Sequence, residues 1–216
     1  MKISDRLIKI ASFVKKEANI ADIGADHGLL DMHLIENNEP KSIFAVENKV
    51  GPFKRLKDNL KDYNVTLSLS DGIEDVPDYI DTLIIAGMGG NLIVDILKKD
   101  VDKLKNIKQI VVDAHKDIEL VRRKIVQLGF RIEKESIVFE NSIYYFVISF
   151  IRGHSTYDDL TYEWGYQIKE DPLFPSYKQF EIDREEQNLK SYLTSKDPSQ
   201  TEIDKRLNKI RGLESL

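Results

Sequence analysis

Cysteine is absent from the 216 residues, which excludes disulfides, thiolate-bound zinc and a cysteine nucleophile, and suits a reducing compartment. Long hydrophobic runs are absent too: no stretch of roughly 18 apolar residues is there to span a bilayer. Residues 1–16 are charged and amphipathic and lack the apolar centre of a secretion signal, so the expectation is a cytoplasmic protein with no membrane partner. An excess of positive charge is also missing. The formal net charge of -5 counts against a basic footprint covering the whole surface. That acidity is concentrated: residues 155–216 hold nine Lys/Arg against thirteen Asp/Glu, so only about one of the five negative charges falls on residues 1–154.

What is present is a folded chain. With 41% hydrophobic and 32% charged residues, a core can be buried, and the length suits one α/β domain plus a small appendage. Ser4 is placed to cap a helix over residues 4–16, in which Leu7, Ile8, Ala11 and Val14 recur at helical spacing. Short β-prone runs then alternate with amphipathic stretches: Asn19–Ile23, Ile43–Glu47, Val65–Leu69, Thr82–Ala86 and Ile107–Asp113 read as strands. That alternation predicts βαβ units and a parallel sheet covered by helices on both faces. Residues 131–139 and 142–151 are separated by too few residues for a crossover helix and must pair antiparallel. After Gly153 the texture changes, so a first domain is expected over residues 1–154 and a helical one over 155–216. The latter holds two helices, residues 177–194 and 200–213, expected as an antiparallel pair or coiled coil. Their seams are Phe180, Ile182, Leu189 and Leu193 on one helix and Ile203, Leu207, Ile210 and Leu213 on the other.

The sharpest motif is Ala21-Asp22-Ile23-Gly24-Ala25-Asp26-His27-Gly28, between the first strand and a helical stretch at Leu29–Glu36. Glycine at such a junction permits positive φ and close approach of a ligand to the backbone. Glu47, followed by Asn48, ends the second strand, where a carboxylate can accept from both hydroxyls of a ribose. Asp71, in Ser70-Asp71-Gly72 after the third strand, could accept from an adenine amino group while Gly72 leaves space. Ala86-Gly87-Met88-Gly89-Gly90 after the fourth strand supplies the next wall. Together these lie at the carboxyl ends of successive parallel strands, where open α/β sheets bind ligands.

A nicotinamide dinucleotide uses the same topology. Against it, Gly24-Ala25-Asp26-His27-Gly28 lacks the G-x-G-x-x-G spacing, and Asp26 puts a carboxylate where a pyrophosphate needs amide dipoles. A cofactor with an ammonium group tolerates that carboxylate, and the terminal antiparallel hairpin favours the methyltransferase version of the fold. S-adenosyl-L-methionine is the expected cofactor.

The residues resemble the bacterial tRNA (adenine-22 N1)-methyltransferases, the TrmK family, over nearly the whole chain. The resemblance rests on Ser4-Asp5-Arg6-Leu7, the Ala21–His27 motif, Glu47 with Gly51-Pro52-Phe53, Ser70-Asp71-Gly72 and Gly87-Met88-Gly89-Gly90. It extends through Leu128-Gly129-Phe130, Tyr144-Tyr145, Trp164-Gly165 and Pro172-Leu173-Phe174. It implies a class I, Rossmann-like α/β fold with a mostly parallel seven-stranded sheet and methyl transfer to N1 of adenine 22 in the tRNA D-arm. One departure is Asp113-Ala114-His115, where the family more often carries a Gln-Pro-Asn-like triplet; it touches the base side rather than the cofactor side.

On this reading Asp22, Gly24, Asp26, Gly28, Glu47, Asn48, Asp71, Gly72, Ala86, Gly87 and Met88 bind the cofactor, and Asp26 and His27 are the catalytic candidates. Adenine N1 is a neutral nucleophile, so the reaction needs in-line approach in a dry site, and a carboxylate can stabilise the cationic product ring. No Asn/Asp-Pro-Pro-aromatic motif follows the fourth strand, which favours a ring nitrogen over an exocyclic amine. Asp26, His27, Asp31 and His33 are scattered by helix geometry, so no metal is expected. Basic residues at Lys2, Arg6, Lys9, Lys15 and Lys16 and at Lys49, Lys54, Arg55 and Lys57 are candidate phosphate contacts, and the protein is read as a monomer. Alternatives are a methyltransferase for a small molecule or protein and a non-catalytic RNA-binding module.

Overall fold

The computed structural model describes residues 3–194 and 197–216, so Lys2 lies outside the described residues. The chain divides into two units, one running to Gln167 and the other from Ile168 to Leu216.

The first unit is a seven-stranded sheet built from β1 (Asn19–Ile23), β2 (Ser42–Glu47), β3 (Val65–Leu69), β4 (Thr82–Met88), β5 (Gln109–Ala114), β6 (Phe130–Glu140) and β7 (Ile143–Arg152), in the order β3-β2-β1-β4-β5-β7-β6. The first five strands are parallel, and β7 inserts antiparallel between β5 and β6. The hairpin turns at Asn141 and Ser142, both at positive φ, the geometry that matches the right-handed strand twist. The order reverses between β1 and β4, so the carboxyl ends of these two strands form the crevice where an α/β sheet binds its ligand.

Central strands are buried on both faces, which explains why β5 and the Ile20–Ile23 run read as continuous hydrophobic stretches. Helix α1 (Asp5–Phe13) is capped by Ser4 Oγ, which accepts from Leu7 N. With α2 (Leu29–Asn38) it covers one sheet face, packing Ile10, Phe13, Leu30 and Leu34 on Ile20, Ile84, Val111 and Val147. On β2, Leu56 and Leu60 from α3 (Val50–Asn59) and its cap close over Ala45. Helices α4 (Gly90–Lys99) and α5 (Ile118–Gln127) complete the unit with α6 (Asp159–Trp164).

Two expectations shift. Helix α1 ends at Phe13 rather than at 16, because the buried Gln109 side chain donates to Phe13 O (2.8 Å) and accepts from Lys15 N (3.2 Å), ending the helix from another strand. Lys15 and Lys16 therefore lie beyond the helix. Residues 155–167, expected with the helical part, stay with the sheet. Arg122 Nη1 donates to the carbonyls of Tyr162 (2.9 Å) and Glu163 (3.1 Å), Arg123 pairs with Asp159 (2.8 Å), and Tyr166 N donates to Glu135 (3.0 Å).

The second unit contains α7 (Phe174–Leu193) and α8 (Gln200–Ser215) as an antiparallel pair, with Lys178 near Glu214 and Glu185 paired to Lys209 (2.7 Å). Its seam keeps Ile182, Ile210 and Leu213 buried as expected but departs from the expected one elsewhere. Phe180 and Leu193 are exposed, and the buried Glu181 and Glu185 sit among Arg184, Arg206 and Lys209. An ionic strip takes the place of half the apolar stripe.

Candidate active site

At the end of β1 the chain turns sharply. Gly24 adopts φ +81°, and Gly24 N and Ala25 N both donate to Val46 O of β2 (2.8 and 2.9 Å), holding the turn over the crevice. That φ lies in the left-handed region that a residue with a Cβ rarely adopts, so glycine suits the turn. Two adjoining cavities of about 400 and 410 Å³ open along the carboxyl edge of the sheet. Gly24, Glu47, Ala86 and Gly87 line both. Asp22, Asp26 and His27 line the first, and Asn48, Asp71, Gly72 and Met88 line the second. Residues read from four separate strand ends are thus brought together. Gly28 stands apart: it lines neither cavity, and a Cβ there would meet Leu56 and Leu60 at 2.9 Å, so its place is in packing α2 against α3.

The crevice is acidic. Glu47 is buried, with Oε1 accepting from Lys49 N (2.8 Å) and the other carboxylate oxygen left for a ligand. Asp71 accepts from Asn48 Nδ2 (3.2 Å) and lies 3.8 Å from Lys99 Nζ. Asp22 is 4% exposed, and burial pushes its carboxyl up to about 7. Asp31, on α2, is fully buried with neither carboxylate oxygen hydrogen-bonded, and it is raised by burial and then by the charge of Asp22. At the rim Asp26, at φ 48°, places Oδ2 3.5 Å from His27 Nε2. Asp31 is sealed inside and His33 turns to Asn37 (3.3 Å), so the four residues Asp26, His27, Asp31 and His33 do not converge.

One part of the site went unread in the sequence. Arg6, classed there with surface cations, turns inward. Its Nη1 pairs with the fully buried Asp113 and lies 3.2 Å from His115 Nε2. Its backbone N donates to Glu140 (3.2 Å), and its guanidinium lies 4.9 Å from the Tyr145 ring centre. Burial raises Asp113 while the charge and hydrogen bond of Arg6 pull it down, and burial wins. Arg6 and His115 line the first cavity alone. The missed signal was helical spacing: Arg6 is four residues before Ile10 and seven before Phe13, on the buried stripe.

A family model described as a methyltransferase domain matches residues 3–148. The tRNA (adenine(22)-N(1))-methyltransferase of Bacillus subtilis (strain 168) is 27% identical over 172 residues, 76% of this chain and 72% of that protein. Among solved structures, Streptococcus pneumoniae Sp1610 superposes with a TM-score of 0.92 at 26% identity, covering 99% of both chains. M. capricolum TrmK, solved with S-adenosyl-homocysteine, superposes with a TM-score of 0.85 at 26% identity, covering 100% of this chain and 97% of that one.

Proposed function

We propose that this chain, which belongs to the methyltransferase-domain family and within it to the TrmK tRNA methyltransferases, transfers a methyl group from S-adenosylmethionine to N1 of adenine 22 in the tRNA D-arm. The observation that carries this reading is the convergence of Asp22, Glu47 and Asp71 from consecutive strand ends on two joined cavities.

The residues present fit the cofactor. Glu47, with one oxygen held by Lys49 N, accepts from the ribose hydroxyls with the other. Asp71, oriented by Asn48, accepts from the adenine amino group, with Gly72 giving room. The buried Asp22 and the rim Asp26 would hold the ammonium of the methionyl end, and Gly24, Ala86, Gly87 and Met88 would leave it room beside the backbone. S-adenosylmethionine supplies an electrophilic methyl on a sulfonium.

The protein's share of the chemistry is placement and charge. The N1 edge is used in Watson–Crick pairing, so the target adenine must be unpaired or flipped into the first cavity. Held in line and shielded from water, N1 needs no activating base. The ring becomes cationic as the bond forms, and Asp26, with His27 at 3.5 Å, stabilises that charge and can take an amino proton. For the tRNA backbone, Lys49, Lys54, Arg55 and Lys57 are all exposed on or beside α3, and none forms an ion pair among the described residues. They are the phosphate footprint, and the protein works as a monomer.

The test is methyl transfer from labelled S-adenosylmethionine to unmodified tRNA transcripts, wild type beside Asp26→Ala, followed by nucleoside mass spectrometry. N1-methyladenosine at position 22 from the wild type, lost in the variant, is expected. Cofactor binding with no methylated nucleoside would move the activity to another substrate.

A further inference from the structure

The second cavity holds the residues suited to the cofactor's nucleoside, Asp71 and Gly72, whereas Arg6 and His115 line only the first. His115 directly follows β5, and its backbone N donates to Met88 O (2.9 Å), which ties it to the loop after β4. Its ring is held from two sides. Tyr145 meets it edge-on at 5.3 Å, and Arg6 Nη1 lies 3.2 Å from Nε2. Arg6 is itself fixed by Asp113, buried beneath it, and by Glu140. With two carboxylates offsetting its charge, Arg6 is a poor phosphate anchor, and its Nη1 faces the imidazole instead. A guanidinium only donates, so Nε2 accepts and the proton of the neutral ring sits on Nδ1. The side chain of His115 is 42% exposed, at the rim of the cavity.

We propose that His115, held by Tyr145 and by an Arg6 anchored on the buried Asp113, donates from Nδ1 to a ring nitrogen of the target purine. This rests on the tRNA adenine reading above. During methyl transfer N1 must keep its lone pair for the new bond, which leaves N7 and N3 as acceptors. A pyrimidine in the same pocket offers no N7, so a contact at N7 selects a purine as well as orienting it. Arg6 and Asp113 act here as positioning residues, and neither touches the base.

The experiment uses full-length enzyme at saturating S-adenosylmethionine and tRNAs carrying adenosine, 7-deazaadenosine or 3-deazaadenosine at position 22. His115→Ala is expected to lower kcat/KM on natural tRNA by about tenfold or more while leaving S-adenosylmethionine affinity unchanged by calorimetry. One deaza substitution lowers the wild-type value by a similar factor beyond its effect on the variant; comparing enzymes on one tRNA cancels the altered reactivity of N1. His115→Asn, whose amide can donate from near the Nδ1 position, regains part of the loss, whereas His115→Gln does not. Equal sensitivity of wild type and His115→Ala to both deaza tRNAs overturns the proposal and leaves the adenine reading standing. If the wild type methylates no natural tRNA, both fall.

Discussion

Asp22 and Asp31 are two buried carboxyls, and the charge of Asp22 adds to the burial that already raises Asp31. Asp22 lines the first cavity and is pushed up to about 7 by burial, while Asp31 is sealed away with both oxygens unpartnered. Two carboxyls this poorly solvated resist ionising together. A ligand cation beside Asp22 offsets that resistance.

Stability should therefore fall as the solution becomes more alkaline. Both folded-state values lie above the ordinary carboxylate value, so the folded protein binds protons that the unfolded chain has released. The associated stability is fully present below about pH 4 and is lost as pH rises through about 7 for Asp22. Thermal unfolding of the cofactor-free protein from pH 5.5 to 8 should show a declining midpoint, with a shallower decline in Asp31→Asn. Parallel slopes in the two proteins would remove the pair from the account.

The same pair predicts proton release on cofactor binding. The ammonium favours ionised Asp22, so S-adenosylmethionine should bind more tightly at pH 8 than at pH 6. Calorimetry in buffers of different ionisation enthalpy should show protons leaving the complex near pH 6.5. S-adenosylmethionine analogues without the amino group should lose this proton coupling while retaining the contacts to Glu47 and Asp71. Coupling of the same size with such an analogue would contradict it.

Glu47→Ala removes the proposed ribose acceptor and should weaken S-adenosylmethionine binding by roughly 10- to 100-fold, the range for hydrogen bonds to a charged group. Asp71→Ala should cost less, since Asp71 is an exposed carboxylate already engaged by Asn48 and near Lys99. Equilibrium dialysis of the two variants ranks them, and the reverse order would mean that the nucleoside lies differently along the crevice.

The strands β1 and β3 occupy the very residues read from the sequence, because each is a short β-prone run closed by turn residues. The acidic crevice was legible for the same reason: strand-end residues of a parallel sheet share one edge whatever the details of packing. What escaped was set by distant partners. Arg6 reads as a surface cation until Asp113, more than a hundred residues away, is placed beneath it. The end of α1 depends on Gln109, and the boundary of the first unit on Arg122 reaching the carbonyls of α6. Glu185 likewise looks like part of a solvated helix face until α8 brings Arg206 and Lys209 to it. No local periodicity encodes such pairings.

Arg122 illustrates the energetic weight of those hidden contacts. Its side chain is 1% exposed, grips Glu135 through Nε and Nη2, and donates to two carbonyls with Nη1. Arg122→Ala leaves the buried Glu135 carboxylate without its charged partner and should cost about 3–5 kcal/mol in urea unfolding. The double variant Arg122→Met, Glu135→Leu should recover part of that loss, since the apolar pair leaves no charge stranded. A double variant no more stable than Arg122→Ala would show that the carbonyl contacts dominate.

Salt dependence tests the RNA footprint independently of catalysis. Each phosphate neutralised by a cation releases counterions, adding about 0.7–0.9 to the slope of log affinity against log salt. Lys54, Arg55 and Lys57 are exposed on α3, whereas Arg6 is consumed by carboxylates and Lys15 lies 3.5 Å from Glu133. Replacing the three α3 residues by alanine should lower the magnitude of the tRNA-binding slope by about 2, since the phosphates they neutralise would keep their counterions. Replacing Lys15 and Lys16 should change it by less, because Lys15 already has a carboxylate partner. If the larger change follows the Lys15 and Lys16 replacements, the RNA backbone approaches from the α1 side of the cleft and the α3 footprint is wrong.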